Sequence, residues 1–279
     1  MTMLRMGACQ RSTRRRLGRP TTSTSPMNTR RAALGLFFSC NFCCSCLLTY
    51  AAAATLQVAV LTGTTRTEGP PRPILGPRVA QFVVNQLERR GNKVSVLDPR
   101  ELHLPLLERP EFAYSQSHVP AQLAELKQIL KHADAYVTIT PEYNHAPSPA
   151  LLNILNHFGS SVFSFKPSAI VSYSAGQWGG TRAALALRPV LSELGCLPVS
   201  AMIHIPRVSS VLDEHGQVIV PSKGENEETR TARQWESYVD RCFSQLEWWG
   251  DAARRHKERA DPFETSPAFR TSPSERNAP

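Results

Sequence analysis

Acidic residues are absent from the first part of this chain, because Glu68 is the first aspartate or glutamate among 279 residues. Residues 1–55 hold eight arginines and no lysine, so most of the formal net charge of +9 belongs to them. The other residues carry 24 lysines and arginines against 23 acidic residues and are almost neutral. They also lack a basic stripe with interleaved aromatics, which is typical of nucleic-acid binding. We therefore expect no nucleic-acid partner.

Cysteine pairs and several catalytic motifs are missing as well. Five of the seven cysteines precede residue 47, and the remaining two, Cys196 and Cys242, exclude a disulfide framework. There is no His-Glu-x-x-His motif and no Gly-x-Ser-x-Gly elbow, so we predict neither a metal site nor a serine hydrolase. The chain also lacks the Gly-Lys-Ser/Thr loop of triphosphate-binding proteins and the three spaced glycines of dinucleotide-binding proteins.

The first 54 residues form an arginine-rich leader that is separate from the predicted fold. Residues 32–54 carry no charge, follow Arg30 and Arg31, and end in a run of alanines. A basic start, an apolar stretch and a small-residue end are typical of a cleaved targeting segment. The same stretch is long enough to be a membrane anchor, and an extension from an incorrect gene model is a third interpretation. A membrane partner is expected only if residues 32–54 are retained.

From residue 55 to residue 206 the sequence alternates short apolar runs with helical patterns. Strands separated by helices form a mostly parallel sheet covered by helices on both faces. We therefore predict one doubly wound α/β domain over residues 55–206. The predicted strands are Leu56–Leu61, Lys93–Leu97, Ala135–Thr140, Ala169–Tyr173 and Pro198–Ile205, and the predicted helices are 77–90, Ala121–His132, Ala150–Phe158 and Thr181–Leu194.

Two further segments follow this domain. Residues 207–258 are predicted to contain a small hairpin over Val208–Val220 and a long helix that begins near Glu225. One side of that helix carries large apolar residues, so we expect it to pack against the domain or a second subunit. Residues 259–279 are rich in proline, serine and charge without periodicity, which predicts a disordered tail.

Three loops follow predicted strands, where doubly wound sheets bind their ligands. Residues 62–66, Thr-Gly-Thr-Thr-Arg, offer hydroxyls, backbone amides and one cation, which are the groups that bind a phosphate monoester. Residues 140–149 combine Tyr143 and Asn144 with prolines that fix the backbone, as a planar ligand requires. Residues 172–180 are glycine-rich, so their backbone can approach a ring closely. A phosphate beside a flat heterocycle describes a mononucleotide, and FMN fits it well.

These loops and their flanking segments resemble the NADPH-dependent FMN reductase family of flavodoxin-like quinone and azo reductases. The resemblance rests on TGTTR at 62–66, GPRVA at 76–80, TPEYNHAPSPALLNILNH at 140–157, SYSAGQWGGTRAALALRPVLSELG at 172–195 and HIP at 204–206. It implies a flavodoxin-like, five-stranded parallel sheet of order 2-1-3-4-5, FMN as cofactor, NADPH or NADH as hydride donor, and a homodimer. It also implies a cytoplasmic location. The location stays open, however, because residues 1–54 have the features of a targeting segment or membrane anchor.

The resemblance further implies which residues contact the flavin. Thr64, Thr65 and Arg66 would bind its phosphate, the loop after the third strand would line its ring, and the glycine-rich loop would close the other edge. The implied ring contacts are Pro141, Glu142, Tyr143, Asn144, Ser174, Ala175, Gly176, Gln177, Trp178 and Gly179. No side-chain nucleophile is implied, and His145 is a candidate for proton transfer.

Two departures from the family pattern affect these expectations. Residues 67–75 lengthen the first loop, so Arg72 is a second candidate for the phosphate cation beside Arg66. The family's Gly and Lys-Asn pair is replaced by Ala150, Leu152 and Asn153, which preserves only the asparagine. The implied function is hydride transfer from NAD(P)H through FMN to a quinone, azo compound or similar small acceptor in a ping-pong cycle. A flavin-binding regulatory or partner-binding module is the alternative.

Overall fold

Parallel strands form one sheet in the computed structural model, which describes residues 55–69, 73–220 and 225–267. The order is β2-β1-β3-β4-β5, with β6 also paired to β4, and this confirms the predicted 2-1-3-4-5 arrangement. The strands are β1 Gln57–Thr62, β2 Lys93–Leu97, β3 Ala135–Pro141, β4 Pro167–Tyr173, β5 Leu197–Pro198 and β6 Ile203–Ile205.

The central strands are buried because helices cover both faces of the sheet. Every residue of β3 and β4 is buried, and β1 is buried from Val58 onward. Their carboxyl ends therefore lie between the covering layers, where the following loops meet at one edge. The covering and connecting helices are α1 Gly76–Arg89, α2 Pro99–Leu102, α3 Ala121–His132, α4 Pro149–Asn156, α5 Ser160–Phe163, α6 Thr181–Glu193, α7 Val208–Val211, α8 Glu225–Lys257 and α9 Pro262–Thr265.

The core has one part on each face of the sheet. Helices α1 and α8 pack on one face, and α3, α4, α5 and α6 pack on the other. The pattern of α1 follows from its sequence, since Pro77 suits the first turn and Val79, Phe82, Val83 and Leu87 recur on one buried side. The four helices predicted within the domain, α1, α3, α4 and α6, begin and end within a few residues of their predicted bounds.

The fifth predicted strand, Pro198–Ile205, is interrupted. It forms β5 and β6, which pair with opposite ends of β4. Between them Arg188 of α6 donates to the carbonyls of Val199 and Pro198 at 2.9 and 3.3 Å, so an arginine replaces regular pairing beyond β5. This long-range contact has no local signature in the strand sequence.

The hairpin prediction over Val208–Val220 is only partly correct. Its first residues form helix α7, and a single antiparallel bridge joins Leu212 to Val218 around a turn at Gly216. The following helix α8 begins at Glu225 as expected and buries Val239, Cys242, Phe243 and Leu246 on the sheet. Trp249 of the same helix is 44% exposed.

The two ends of the chain differ in how far they are described. Residues 1–54, with the predicted targeting or anchor segment, lie outside the described residues, as do Arg72 and residues 268–279. Residues 259–267, part of the segment predicted to be disordered, include the helical turn α9, which Asp261 caps by accepting from Phe263 N at 3.0 Å. Among the described helices none is long and apolar enough to cross a membrane.

Candidate functional site

The loops after β1, β3 and β4 meet around a cavity of about 210 Å³ at the carboxyl edge of the sheet. This is the edge at which a doubly wound sheet binds its ligands. The predicted residues that line the cavity are Thr64, Arg66, Pro141, Glu142, Tyr143, Ser174, Ala175 and Gly176. The predicted residues Thr65, Asn144, His145, Gln177, Trp178 and Gly179 lie on the same loops but do not line it.

The loop after β1 presents a buried hydroxyl and a cation. Thr64 is 4% exposed, and its Oγ1 accepts a hydrogen bond from the amide of Arg66 at 3.3 Å. The guanidinium of Arg66 donates to the carbonyl of Glu68 at 3.3 Å, so the loop itself orients this cation. Thr65 is exposed to solvent. Arg66 lines the cavity, whereas Arg72, the other arginine predicted for the phosphate, lies outside the described residues.

Sequence reasoning left three lining residues, Leu75, Gly76 and Tyr173, out of the predicted site. A Cβ atom on Gly76 would lie 2.3 Å from Thr64 Cγ2 and 2.9 Å from the hydroxyl of Tyr173, so only glycine fits between them. Burial raises the pKa of Tyr173 well above its usual range, while its hydrogen bond with Thr64 opposes that shift. Tyr173 is therefore a neutral wall of the cavity. Gly76 and Tyr173 lie in segments that resemble the family, and this resemblance was the signal that could have placed them in the site.

The loop after β3 folds into a tight hairpin turn. Tyr143 and Ala146 exchange two backbone hydrogen bonds of 3.1 and 2.9 Å, and the residues between them, Asn144 and His145, have φ of 50° and 64°. Two positive φ angles in a two-residue connection describe a type I′ turn, in which asparagine is favoured. This conformation leaves the Tyr143 side chain 42% exposed at the cavity wall.

A salt bridge connects this loop to the start of α6. Arg182 Nη2 lies 2.6 Å from Glu142 Oε1, and the Glu142 side chain is only 8% exposed. The guanidinium also lies over the Trp178 ring, 5.7 Å from its centroid. Glu142 Oε2 is buried without a hydrogen-bond partner among the described residues. The pair thus fixes the distance between two of the three loops and leaves one buried acceptor beside the cavity.

The glycine-rich loop after β4 is shaped by serine hydroxyls and positive φ angles. Ser174 Oγ donates to Gly176 O at 2.9 Å and accepts from Gly179 N at 3.0 Å, which closes a compact turn. Gly180 has φ of 77°, and a Cβ there would lie 2.9 Å from Tyr173 N. A Cβ on Gly176 would instead meet no other part of the described chain within 4 Å, so open space lies beside its backbone.

Asn153 has a different role from the one its place in the family pattern suggested. Its Oδ1 accepts from Leu107 N at 2.9 Å, and its Nδ2 donates to Pro105 O at 2.8 Å. His157 Nε2 lies 3.1 Å from the same Pro105 carbonyl. Asn153 therefore holds the connection between α2 and α3 against α4 and does not line the cavity.

The donor set fits a flavin mononucleotide. Hydroxyl, amide and guanidinium groups at Thr64 and Arg66 suit a phosphate, and the Tyr143 ring and open backbone at Gly176 suit a planar heterocycle. Within the described residues, no cluster of three or more His, Cys, Asp or Glu side chains is arranged to hold a metal ion. The groups that line the cavity suit an organic ligand.

Comparisons with known proteins give reductases among the relatives of this chain. The chain is 34% identical over 128 residues to an NADPH azoreductase of a Bacillus species, which covers 46% of the chain and 64% of the relative. It is 27% identical over 162 residues to a quinone reductase of Pseudomonas putida, covering 54% of the chain and 82% of the relative. The chain thus spans less than two thirds of the azoreductase.

A solved structure shares the fold. The flavoenzyme FerB, an NAD(P)H:(acceptor) oxidoreductase from Paracoccus denitrificans, superposes with a TM-score of 0.52 at 21% identity, over 72% of this chain and 99% of that one. The family model described as NADPH-dependent FMN reductase matches residues 56–208, which include all three loops of the cavity. FMN and NAD(P)H, expected from the resemblance, are the cofactors of that family. The match covers more than half of the sequence, and the chain belongs to the NADPH-dependent FMN reductase family.

Proposed function

We propose that this protein is an FMN-dependent oxidoreductase that passes a hydride from NAD(P)H to a quinone, an azo compound or a similar small acceptor by a ping-pong mechanism. The observation that carries the proposal is the convergence of the three loops on one cavity, whose lining combines the hydroxyl of Thr64 and the guanidinium of Arg66 with the Tyr143 ring. The names of the relatives, azoreductase and quinone reductase, support these two acceptor classes.

The proposed roles of the residues follow from their positions. Thr64 and Arg66 bind the phosphate, while the backbone of residues 141–144 and the Tyr143 ring position the flavin ring. The loop 174–179 covers the other edge, and its backbone amides stabilise negative charge that develops there. Bound FMN supplies the hydride chemistry, so the protein contributes binding, orientation and exclusion of water. Thr65, Gln177, Trp178 and Gly179 support the same loops from outside the cavity.

His145 and the exposed aromatics have further roles in the proposal. The exposed imidazole of His145 lies on the turn beside Tyr143 and is the proposed proton donor to the acceptor. Tyr143 and Trp178 are 42% and 62% exposed beside the site. Exposed aromatic residues are favoured at protein interfaces, so we propose that a second copy of the chain covers them in a homodimer.

A flavin titration tests the function directly. The purified full-length chain is expected to be yellow or to become so with added FMN. Anaerobic NADPH or NADH should bleach it, and a quinone should restore the colour. A colourless chain that takes up no FMN contradicts the proposal. A yellow chain that neither nucleotide bleaches would instead support a flavin-binding module without turnover.

Variants in the turn after β3 test the placement of the ring. Tyr143→Ala and Asn144→Ala should weaken FMN binding while far-ultraviolet circular dichroism stays unchanged. Phe112→Ala is a matched control, because Phe112 is a 54% exposed aromatic that does not line the cavity. Unchanged flavin affinity in both turn variants would contradict the placement even if the protein is a reductase.

A further inference from the structure

A second cavity, of about 530 Å³, lies at the opposite edge of the sheet, where β3 and β4 begin. Its walls are the end of α3, residues 164–166 before β4, the last turns of α8, and α9. Strands β3 and β4 each span seven residues between the two edges, so about 20 Å separates this cavity from the candidate flavin site. Its volume lies within the range of small-molecule sites, which is roughly 300–1,000 Å³.

Two aromatic rings form part of the wall. Phe165 and Phe263 pack edge to face with their centroids 5.7 Å apart. Phe165 is 45% exposed and has φ of 66°, an angle that a bulky residue adopts only where the surrounding structure imposes it. Strained backbone of this kind is concentrated at ligand-binding sites. The rings offer an edge and a face to a flat apolar ligand.

The lining is strongly positive. It contains one acidic residue, Asp134, whose Oδ2 already accepts a hydrogen bond from Gln57 N at 2.8 Å. Acidic partners of two lining cations, Asp251 and Asp261, lie outside the lining. The basic residues of the lining are Lys131, His132, Lys166, Arg254, His256 and Lys257.

Two of these cations have donors that no carboxylate of the described residues satisfies, although Arg254 Nη2 is paired with Asp251 at 2.9 Å. Arg254 Nε is buried without a hydrogen-bond partner among the described residues. Lys166 Nζ donates to the carbonyls of Leu130 and Lys131, both at 2.8 Å, and has no carboxylate partner in the described part of the chain. Burial, followed by the charge of Lys257, lowers the pKa of Lys166 to about 7. An anion in the cavity would relieve both conditions.

We propose that this cavity is a second ligand site, which binds a small aromatic carboxylate against the Phe165 and Phe263 rings with its carboxylate toward the lysines and Arg254. The fork of an arginine matches a carboxylate, and a flat aromatic body matches the two rings. Helices α8 and α9, which supply half of the wall, lie outside residues 56–208 that match the reductase family. The cavity therefore takes half of its wall from the extension of this chain beyond the family domain.

Calorimetric titration with 2-naphthoate tests the proposal on the full-length protein saturated with FMN. We expect one site per chain and at least about tenfold weaker binding of 2-naphthalenemethanol, the neutral analogue of the same shape. The double variant Lys131→Gln, Lys257→Gln should weaken 2-naphthoate binding about tenfold, and Phe263→Ala should do so to a similar extent. Both lysines are exposed, so their replacement leaves the fold intact.

Matched controls separate this cavity from the flavin site. Lys93→Gln and Phe112→Ala replace an exposed lysine and an exposed phenylalanine outside the lining and should leave 2-naphthoate affinity unchanged. Tyr143→Ala should also leave it unchanged if the ligand binds at the amino edge. Loss of binding in Tyr143→Ala would place the ligand at the flavin and overturn the proposal. Equal binding of the neutral analogue, or full affinity in the double lysine variant, would overturn it as well.

Discussion

Gly76 and Gly176 both line the candidate flavin cavity, but the space around each differs. At Gly76, Thr64 and Tyr173 already occupy the position of a side chain, whereas a Cβ on Gly176 would have open space around it among the described residues. The first glycine is therefore required by the protein's own packing. The second leaves free space, which we assign to the flavin.

The two glycines predict opposite effects of one substitution. Gly76→Ala should lower the free energy of unfolding by roughly 1–3 kcal/mol, since a buried clash outweighs the helix preference of alanine. Gly176→Ala should leave the stability of the flavin-free protein within about 0.5 kcal/mol and weaken FMN binding. Urea unfolding and flavin titration measure these effects. Full FMN affinity in Gly176→Ala would contradict the assignment of that space.

At the residue scale, the loops that form the cavity were easier to predict than the individual residues that line it. Residues Pro141 and Ser174 line the cavity as expected because each lies at or directly after a strand end. Gly76 was not predicted, because its constraint arises from Thr64 and Tyr173, which come from two other segments. Asn153 shows the converse case, since a matching residue type binds the neighbouring backbone instead of the cavity. In both cases the role of the residue depends on tertiary contacts with segments that are distant in the sequence.

Among the elements, α8 depends on one arginine at the end of α1. Arg90 Nε and Nη2 donate to both carboxylate oxygens of Glu247 at 2.8 and 2.7 Å, and Nη1 donates to Asp240 at 2.7 Å. The planar fork of a guanidinium matches both oxygens of Glu247 while its other nitrogen reaches Asp240, a geometry that an ammonium group does not reproduce. The Arg90 hydrogen bond holds the pKa of Asp240 below its usual range.

We expect Arg90→Ala to lower the free energy of unfolding by about 2 kcal/mol at neutral pH, because it leaves Glu247 partly buried without its cation. Arg90→Lys should lose part of that amount, and Arg89→Ala, an exposed neighbour, should lose little. Stability that depends on a carboxylate of lowered pKa is lost as pH falls below the ordinary value of 3.8. The difference between the native chain and Arg90→Ala, measured by urea unfolding, should therefore shrink toward about pH 3. A constant difference would contradict this contribution of Asp240.

Element positions were predictable where burial dominates. The apolar runs of β1, β3 and β4 and the periodic faces of α1 and α3 carry their own signal. The break between β5 and β6 and the helical start of the predicted hairpin were not predictable. Arg188 binds the carbonyl of Val199 at the break, and Arg207 adopts the αL conformation directly before α7; neither feature is visible in hydrophobic periodicity.

For the molecule as a whole, the two edges of the sheet have different electrostatic surroundings. The carboxyl edge pairs its cation Arg182 with Glu142, whereas the amino edge gathers basic residues around Lys166. The charged and titratable groups that act on this amine come from four elements or their flanks, namely Lys257, Asp134, Cys196 and Lys131. Burial is the largest cause of its lowered pKa, and Lys257 is the next.

This buried amine predicts how the stability of the protein depends on pH. The pKa of Lys166 is about 7 in the folded chain against an ordinary value of 10.5, so the unfolded chain binds more protons between these values. Stability then rises with pH across that window, by up to about 1.4 kcal/mol per pH unit. Below pH 7 the folded state must keep a buried charge, which costs stability.

Lys166→Met removes the titrating group and should remove this rise. Urea unfolding of both proteins at several pH values between about 7 and 10 gives the difference in slope, which cancels titrations common to the two chains. Lys93→Met, at an exposed lysine, should keep the native slope. The two carbonyls that Lys166 binds lose their donor in Lys166→Met, but that loss lowers stability equally at every pH. A pH-dependent difference is therefore due to the charge, and parallel profiles would show that Lys166 is not the group responsible.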